Sequence, residues 1–485
     1  MRRLVAGIDA GTQGVRVLVV DEHGSPQATA ARALPPPRAG LPPGWSEQRP
    51  EDWWDATRAC LQAVAVQLAH SDFSKEELVA IAVDSTSGTV VPVDEAGRPL
   101  HPALMYNDSR STGLLGEVRL AGRQLEEKLG YAFKSSFALP KILWLCRQDP
   151  TLLERTATFI HAADYLVGCL TGEFSVSDHS NALKTGFDLL EYRWPEFIED
   201  ELGIPLAKLP RVVAPGEPIG QVGRSAARET ELAEKTLVVA GMTDGSAAQL
   251  ASGATSVGAW NSILGTTLVI KGITRNLLKD PLGRIYCHLH PQGYWMPGGA
   301  SNTGCQWIAK AHPHEDPAEL DTAAAHYLPT DLISYPLARP GERFPFVAPQ
   351  AQGFIEGTPS NEVERYAANL EGLAYLERLA FAVLEDLGAT VGDTVHVTGG
   401  GARSKLWLKI RASVLSKQLL RPLVSETAMG SALLAASQTL YDDLTEAARQ
   451  MVKLDLRVDP ETRWIRPYDE RYQRFIAACR TRGYL

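Results

Sequence analysis

The sequence predicts an α/β protein built from two domains, and three observations carry that expectation. At 485 residues the chain is too long for one ordinary core. Short apolar runs ending at an Asp beside a Gly occur once at the start and again near the middle. Between them, strand-like runs alternate with turn residues and helical patterns. Hydrophobic residues make up 45% and charged residues 22%, the balance of a globular domain protein.

Composition narrows the function classes. The formal net charge of −9 argues against a nucleic-acid or anionic-membrane partner. It leaves an anionic substrate open, because backbone N–H groups and a metal can hold phosphate without a basic surface. The six cysteines (Cys60, Cys146, Cys169, Cys287, Cys305 and Cys479) are scattered, without a CxxC pair or metal-ligand spacing. They read as buried thiols of a reducing cytosol. Met1-Arg2-Arg3-Leu4 leads straight into a strand-like run, which argues against a signal peptide, and no run reaches the roughly 18 apolar residues of a membrane span. The expectation is a cytoplasmic protein with no membrane partner.

In order, residues 4–9 read as a buried strand, Ala10-Gly11-Thr12-Gln13-Gly14 as a turn and residues 15–20 as a second strand. The Pro-rich stretch 34–43 is a loop. Gly44-Trp45-Ser46-Glu47-Gln48 leads from it into a helix opened by Pro50-Glu51-Asp52, residues suited to a first helical turn. A strand over 79–83 follows, with a hairpin through 90–93; residues 110–235 look mostly helical with loops. From 237 the opening pattern returns: an apolar strand, the turn Gly241-Met242-Thr243-Asp244-Gly245, then a small-residue helix over 246–251. This sets the expected domain boundary near 240–245. A strand over 257–264 enters Gly265-Thr266-Thr267 and exits through 268–271. A late strand, 394–398, runs into Gly399-Gly400-Gly401-Ala402-Arg403-Ser404 and a helix to about 417.

Several of these turns can do chemistry. Two glycines around Thr12 let backbone N–H groups and a hydroxyl converge on a phosphate, and Asp9 at the strand end can hold Mg²⁺ through water. A plain hairpin turn has the same residues. It is not a Walker loop, because Gly-Lys-Ser/Thr is absent and a strand follows. The turn at Gly265-Thr266-Thr267 repeats the arrangement. Asp244, after an apolar strand and before a helix, is either a helix cap or a general base for an attacking hydroxyl. The glycines at 399–401 could bring backbone against a nucleotide, but Ser404 stands where a dinucleotide fingerprint needs its third glycine. Ser85-Thr86-Ser87-Gly88-Thr89 and Tyr106-Asn107-Asp108-Ser109-Arg110 carry short polar groups suited to a polyol, as ordinary polar loops also do.

Taken in order, these pieces resemble the FGGY family of carbohydrate kinases, within the sugar kinase/Hsp70/actin superfamily. The resemblance runs from about residue 4 to about 440. It rests on Gly7-Ile8-Asp9-Ala10-Gly11-Thr12, Gly44-Trp45-Ser46-Glu47-Gln48 with Glu51-Asp52-Trp53-Trp54, Asp164-Tyr165-Leu166 with Leu170-Thr171-Gly172, and Gly203-Ile204 with Leu209-Pro210. It continues through Gly241-Met242-Thr243-Asp244, Gly265-Thr266-Thr267, the triple glycine and Glu426-Thr427-Ala428-Met429-Gly430.

The resemblance implies two actin-like (ribonuclease H-like) ATPase domains with a cleft between them, divided as 1–240, 241–440 and a C-terminal helical extension 441–485. It implies ATP and Mg²⁺ as cofactors and a small sugar as substrate, in a monomer or homodimer. Gly11, Thr12 and Gln13 with Gly265, Thr266 and Thr267 would face the ATP phosphates, and Gly400, Gly401 and Ser404 the adenosine. Asp9 and Asp244 would organise the metal through water, Asp244 would be the base, and Ser87, Asn107, Asp108 and Asp244 would bind sugar. Two positions depart from the usual pattern. Gln13 stands where a hydroxyl residue is common. Ser87-Gly88 replaces the Met-His pair of typical xylulokinases and, with Met105-Tyr106-Asn107-Asp108, looks like the plant and cyanobacterial kinases of D-ribulose.

D-ribulose is therefore the expected acceptor, with D-xylulose or another ketose or polyol as the rival. An ATPase driving a chaperone or filament would need a further domain, and none is visible after residue 440. A sugar-sensing regulator would have a DNA-binding segment or lack the base, and neither holds here.

Overall fold

Leu-Val-Ala-Gly-Ile-Asp-Ala has no polar face, so as a strand it has to be covered on both sides. In the computed structural model, which describes residues 3–36 and 38–485, β1 (Leu4–Ala10) is buried along its whole length. It turns into β2 (Gly14–Asp21), and β2 into β3 (Pro26–Ala33), both pairings antiparallel. The helix Pro50–Ala69 has Pro at its start and Glu51 and Asp52 in its first turn, as expected. Its buried face (Trp53, Leu61, Val64, Leu68) joins Leu4, Ala6 and Ile8 in one core. Truncating one of these large side chains to Ala would cost about 2–5 kcal/mol.

Parallel strands β4 (Leu78–Ser85) and β6 (Leu237–Thr243) extend the sheet on the other side of β1, and β5 (Pro218–Gln221) closes its edge. The order is β5-β6-β4-β1-β2-β3. A second sheet holds β7 (Trp260–Leu264), β8 (Leu268–Gly272), β9 (Trp295–Ala300), β10 (Thr394–Thr398), β11 (Gln418–Pro422) and β12 (Leu454–Val458). Its order is the strand Ile285–Leu289, then β9-β8-β7-β10-β11-β12. Each sheet contains the same five-strand plan, a three-stranded antiparallel meander flanked by two parallel strands: β3-β2-β1-β4-β6 and β9-β8-β7-β10-β11.

The chain divides into two compact units. The first comprises the residues through Thr255 with His288–Gly293 and Glu426–Lys453; the second comprises Ser256–Cys287, Tyr294–Ser425 and Leu454–Leu485. This corrects the expected division in three places. A cut at 240/241 would split β6, whose residues Leu237 through Thr243 pair with β4, so the strand that leads to Asp244 belongs to the first unit. The repeat of the opening pattern begins at β7 instead. The segment from Glu426 also returns to the first unit, because the helix Thr427–Ala436 lies against β1. A Cβ at Gly7 would stand 1.7 Å from the Ala428 carbonyl oxygen, so only glycine permits this approach. Lastly, residues 441–485 are not simply helical. Leu-Asp-Leu-Arg-Val alternates with period two and forms β12 on β11, followed by the helix Thr462–Thr481 of the second unit.

Smaller differences have local causes. The strand β3 went unanticipated because Gln-Ala-Thr-Ala-Ala-Arg-Ala lacks the β-branched richness of a buried strand. Val91–Val93 pairs with Thr158–Ile160 and forms no hairpin with β4. Of the expected loop 34–43, Pro37 lies outside the described residues.

Candidate active site

In the first unit, three parallel strands end at the same level. Asp9 on β1 is the register partner of Asp84 on β4, and Thr243 on β6 pairs with Ser85, which puts Asp244 one residue beyond. Asp244 opens the helix Asp244–Ala251 from its first turn and is not its cap; Thr243 holds that position. The Asp244 Oδ1 accepts from the Gly245 N–H at 2.7 Å.

Burial, and next the charge of Asp244, raise the Asp9 carboxyl above its ordinary range, with Arg16 at 4.0 Å pulling the other way. Asp84 is wholly buried and is held well above the carboxylate range, by burial first and by the Asp9 charge second. Its Oδ2 accepts from the Ser431 hydroxyl at 2.7 Å. Its Oδ1 is buried without a hydrogen-bond partner, a cost that favours the neutral carboxyl. Asp84 was missed in the sequence, although Val-Ala-Ile-Ala-Val-Asp carries the same apolar-run-then-Asp signal as the segment ending at Asp9.

The loop after β1 is a tight hairpin closed by the Gly11 N–H to the Gly14 carbonyl at 3.0 Å. Its outer wall opens on a cavity of about 600 Å³ lined by Asp9, Gly11, Thr12, Gln13, Gly14, Arg16, Arg32 and Tyr106. Bare backbone, a hydroxyl and two guanidinium groups around one cavity suit an anion. The Gln13 carbonyl accepts from the Leu34 N–H, and its side chain is exposed. The Thr12 hydroxyl lies 3.5 Å from that of Thr86, and Gln48 Nε2 donates to the Thr12 carbonyl at 2.8 Å.

The expected sugar residues divide. Ser87 is half-buried, and its Oγ accepts from Lys184 Nζ at 2.6 Å. Gly88 has φ +80°, and a Cβ there would meet the Ser136 carbonyl oxygen at 2.3 Å. Asn107 is exposed at the loop tip. Asp108 does not meet the expectation of a substrate contact. Its side chain is fully buried, and both oxygens accept from Arg110 while Oδ2 also takes the Ser46 N–H at 2.6 Å. Arg110 further pairs with Glu47 at 2.8 Å and stacks on Trp45 at 3.7 Å. Asp108 thus ties the 105–110 loop to the 44–48 loop. Lys184 is nine-tenths buried. Nearby, Lys141 donates to the Ser135 and Phe137 carbonyls, and burial first, with the Lys184 charge second, brings its ammonium down to about 7.

In the second unit, Ile263 on β7 pairs with Thr398 on β10, so Gly265-Thr266-Thr267 and the glycines 399–401 lie at one sheet end. Thr266 is exposed, and Gly304 packs beneath the turn, where a Cβ would lie 2.4 Å from the Thr267 Cα. A Cβ at Gly400 would meet nothing within 4 Å, whereas one at Gly401 would strike the Leu264 side chain at 2.6 Å. Gly400 therefore offers open backbone, and Gly401 is a packing glycine. Ser404 departs from its expected adenosine contact: its hydroxyl donates to Asp321 at 2.6 Å and accepts from the Trp407 N–H, capping the helix Lys405–Leu415.

Among the described residues no group of three His, Cys, Asp or Glu side chains is placed to hold a metal ion directly. Asp9 and Asp244, carboxylates close enough for the charge of Asp244 to raise the Asp9 carboxyl, fit a hard cation held through water.

Comparison with known proteins identifies the family. The model for the FGGY carbohydrate kinase N-terminal domain matches residues 4–251, and that for the C-terminal domain matches residues 260–439. A xylulose kinase of Bacillus subtilis (strain 168) is 25% identical over 479 residues, covering 96% of this chain and 94% of its own. A glycerol kinase of Thermococcus onnurineus (strain NA1) is 26% identical, over 94% and 93%. The crystal structure of a xylulose kinase from Rhodospirillum rubrum superposes with a TM-score of 0.87 at 27% identity, covering 99% of both chains. With both of its domain models matched along most of the sequence, this chain belongs to the FGGY family of carbohydrate kinases.

Proposed function

We propose that this sugar kinase transfers the γ-phosphoryl group of ATP to a hydroxyl of a small ketose, D-ribulose foremost. The observation that carries the choice of sugar is the Ser87-Gly88 corner. Gly88 is left-handed and closed against the Ser136 carbonyl, so the larger Met-His pair of typical xylulokinases has no place there. The corner offers a small hydroxyl and no second side chain, which leaves room for a different hydroxyl arrangement around C3, where the two pentuloses differ.

In this reading the first unit binds the sugar, and Asp244 takes the proton of the attacking hydroxyl. Thr12 and the backbone of residues 11–14 hold phosphate oxygens. In the second unit, residues 265–267 present backbone and hydroxyls to the phosphates, and Gly400, backed by the packing of Gly401 on Leu264, accommodates the adenosine. The Ser404 hydroxyl, held by Asp321 and the Trp407 N–H, caps the helix behind these glycines. Asp9, with Asp244, would hold Mg²⁺ through water, and the bound cation would supply charge neutralisation to the phosphates. Phosphoryl transfer has a loose transition state, so alignment and charge stabilisation supply most of the catalysis.

A second reading, D-xylulose, is favoured by the names of the relatives. The deciding measurement is kcat/KM for D-ribulose, D-xylulose and glycerol at saturating MgATP. D-ribulose should lead D-xylulose and far exceed glycerol; a tenfold advantage for D-xylulose would replace the assignment.

A further inference from the structure

Ser87 was expected to be a lone hydroxyl for a polyol, but its partner changes what it can recognise. Lys184 sits in the short turn Leu183–Thr185, which is held firmly. The next residue, Thr185, bonds His161 Nε2 at 2.8 Å, while His161 Nδ1 lies 2.8 Å from Asp164, and Gly186 ends the turn with φ +91°. From there the lysine stem passes Gly88, and its ammonium reaches the Ser87 hydroxyl at 2.6 Å, with the Phe137 ring 5.8 Å away. Among the described residues no carboxylate pairs with it. Through Thr86, which neighbours Ser87 and meets Thr12, this corner adjoins the loop that follows Asp9.

The proton inventory favours one kind of ligand atom. An ammonium has three donors and no acceptor, so the Ser87 oxygen accepts and its own proton is left to point elsewhere. The corner is therefore rich in donors: the Ser87 O–H and the remaining N–H groups of Lys184, against one free lone pair on the Ser87 oxygen. A sugar hydroxyl both donates and accepts, and between these two side chains its proton has a single lone pair to meet. An oxygen without a proton matches fully, and an open-chain ketose carries one such atom, its C2 carbonyl. We propose that Lys184 and Ser87 together bind the C2 carbonyl oxygen of the acceptor, so that Lys184 selects ketoses over the corresponding polyols. A site built to hydrogen-bond one group discriminates strongly against an analogue that lacks it.

This rests on the ketose reading above, and the test separates the two. Wild type, Lys184→Met and Lys184→Arg are assayed at saturating MgATP with D-ribulose and with ribitol and D-arabinitol, the two alcohols made by reducing its carbonyl. Wild type should prefer the ketose by about 100-fold or more. Lys184→Met should lower kcat/KM for the ketose by at least about 30-fold, change that for the alcohols by less than about threefold, and leave the KM for ATP alone. Lys184→Arg, which keeps a donor-only cation, should retain part of the preference and stands in if the Met variant does not fold. Equal losses on ketose and alcohols would make Lys184 structural only, and an unchanged ketose value would remove it from the site. A greater activity on the sugar acid D-ribonate would assign the corner to a carboxylate and overturn the proposal. If D-xylulose proves the better acceptor, only the choice of pentulose fails. The same comparison then runs with D-xylulose against xylitol and D-arabinitol.

Discussion

The side-chain amide of Gln48 donates to the main-chain carbonyl of Thr12 at 2.8 Å, and its own oxygen accepts from the Trp53 indole N–H at 2.8 Å. A residue of the 44–48 motif thus fixes the conformation of the glycine loop after β1 from behind. Farther back, Arg110 and Asp108 clamp the same motif. Two segments that read in the sequence as separate signatures act as one support.

Replacing Gln48 by Leu should therefore loosen the loop without dismantling the fold. One buried hydrogen bond is worth about 0.5–1.5 kcal/mol, which corresponds to a roughly two- to tenfold loss in kcat/KM for MgATP. Steady-state kinetics on a variant with unchanged circular dichroism would check this. Wild-type kinetics would show that the loop holds itself.

Asp244→Asn should lower kcat by about 10²–10⁴-fold while leaving folding and ATP binding largely intact. The amide keeps the size and the contact to the Gly245 N–H through its oxygen but cannot take a proton. More than half of wild-type kcat in the variant would remove Asp244 from the base role.

The two glycines of the second unit should respond differently. Gly400→Val places its side chain in open space beside bare backbone and should raise the KM for ATP with little loss of stability. Gly401→Val drives into Leu264 and should lower stability by about 1–3 kcal/mol through overpacking. Paired thermal unfolding and ATP titrations distinguish them; the reverse pattern would relocate the adenosine contact.

Ser87→Ala should cost about 1–3 kcal/mol in kcat/KM for the sugar, because the Lys184 ammonium then loses its buried partner as well. Measured at saturating MgATP, a loss below about twofold would show that neither group contacts the acceptor.

A buried carboxyl in the second unit predicts a pH dependence of stability. Glu371 accepts from the Thr330 N–H and hydroxyl, yet burial pushes its carboxyl up from 4.5 to about 7. Below about pH 4.5 it is protonated in both folded and unfolded chains, and its contribution is fully present. Between about 4.5 and 7 only the unfolded chain ionises, so that contribution is lost as pH rises through the window and stays lost above it. Glu371→Gln mimics the neutral form and should remove this slope, a difference of no more than about 3 kcal/mol between pH 4.5 and pH 8. Urea unfolding of both proteins across that range provides the check; parallel curves would mean that Glu371 titrates normally.

Much of the site was legible because its signals are local. A strand wholly apolar to its final Asp, a glycine-flanked Thr, a second hydroxyl turn and three successive glycines each follow from the conformations their own residues allow. Asp9, Asp244, residues 11–13 and 265–267 were singled out this way. What the sequence could not say is where each strand would pair and which polar groups would be used up in doing so. The boundary placed at 240 failed because β6 is held by β4, with Leu237 paired to Ala80, and because a helix from residue 427 returns to lie on Gly7. Asp108 and Ser404 looked available for ligands, but Arg110 and Asp321 satisfy them. The Lys184–Ser87 contact spans 97 positions. By itself the sequence determined which residues could meet a phosphate or take a proton. Only tertiary structure decided which remain open to do so, because a buried polar group takes whatever partner the fold supplies before any ligand arrives.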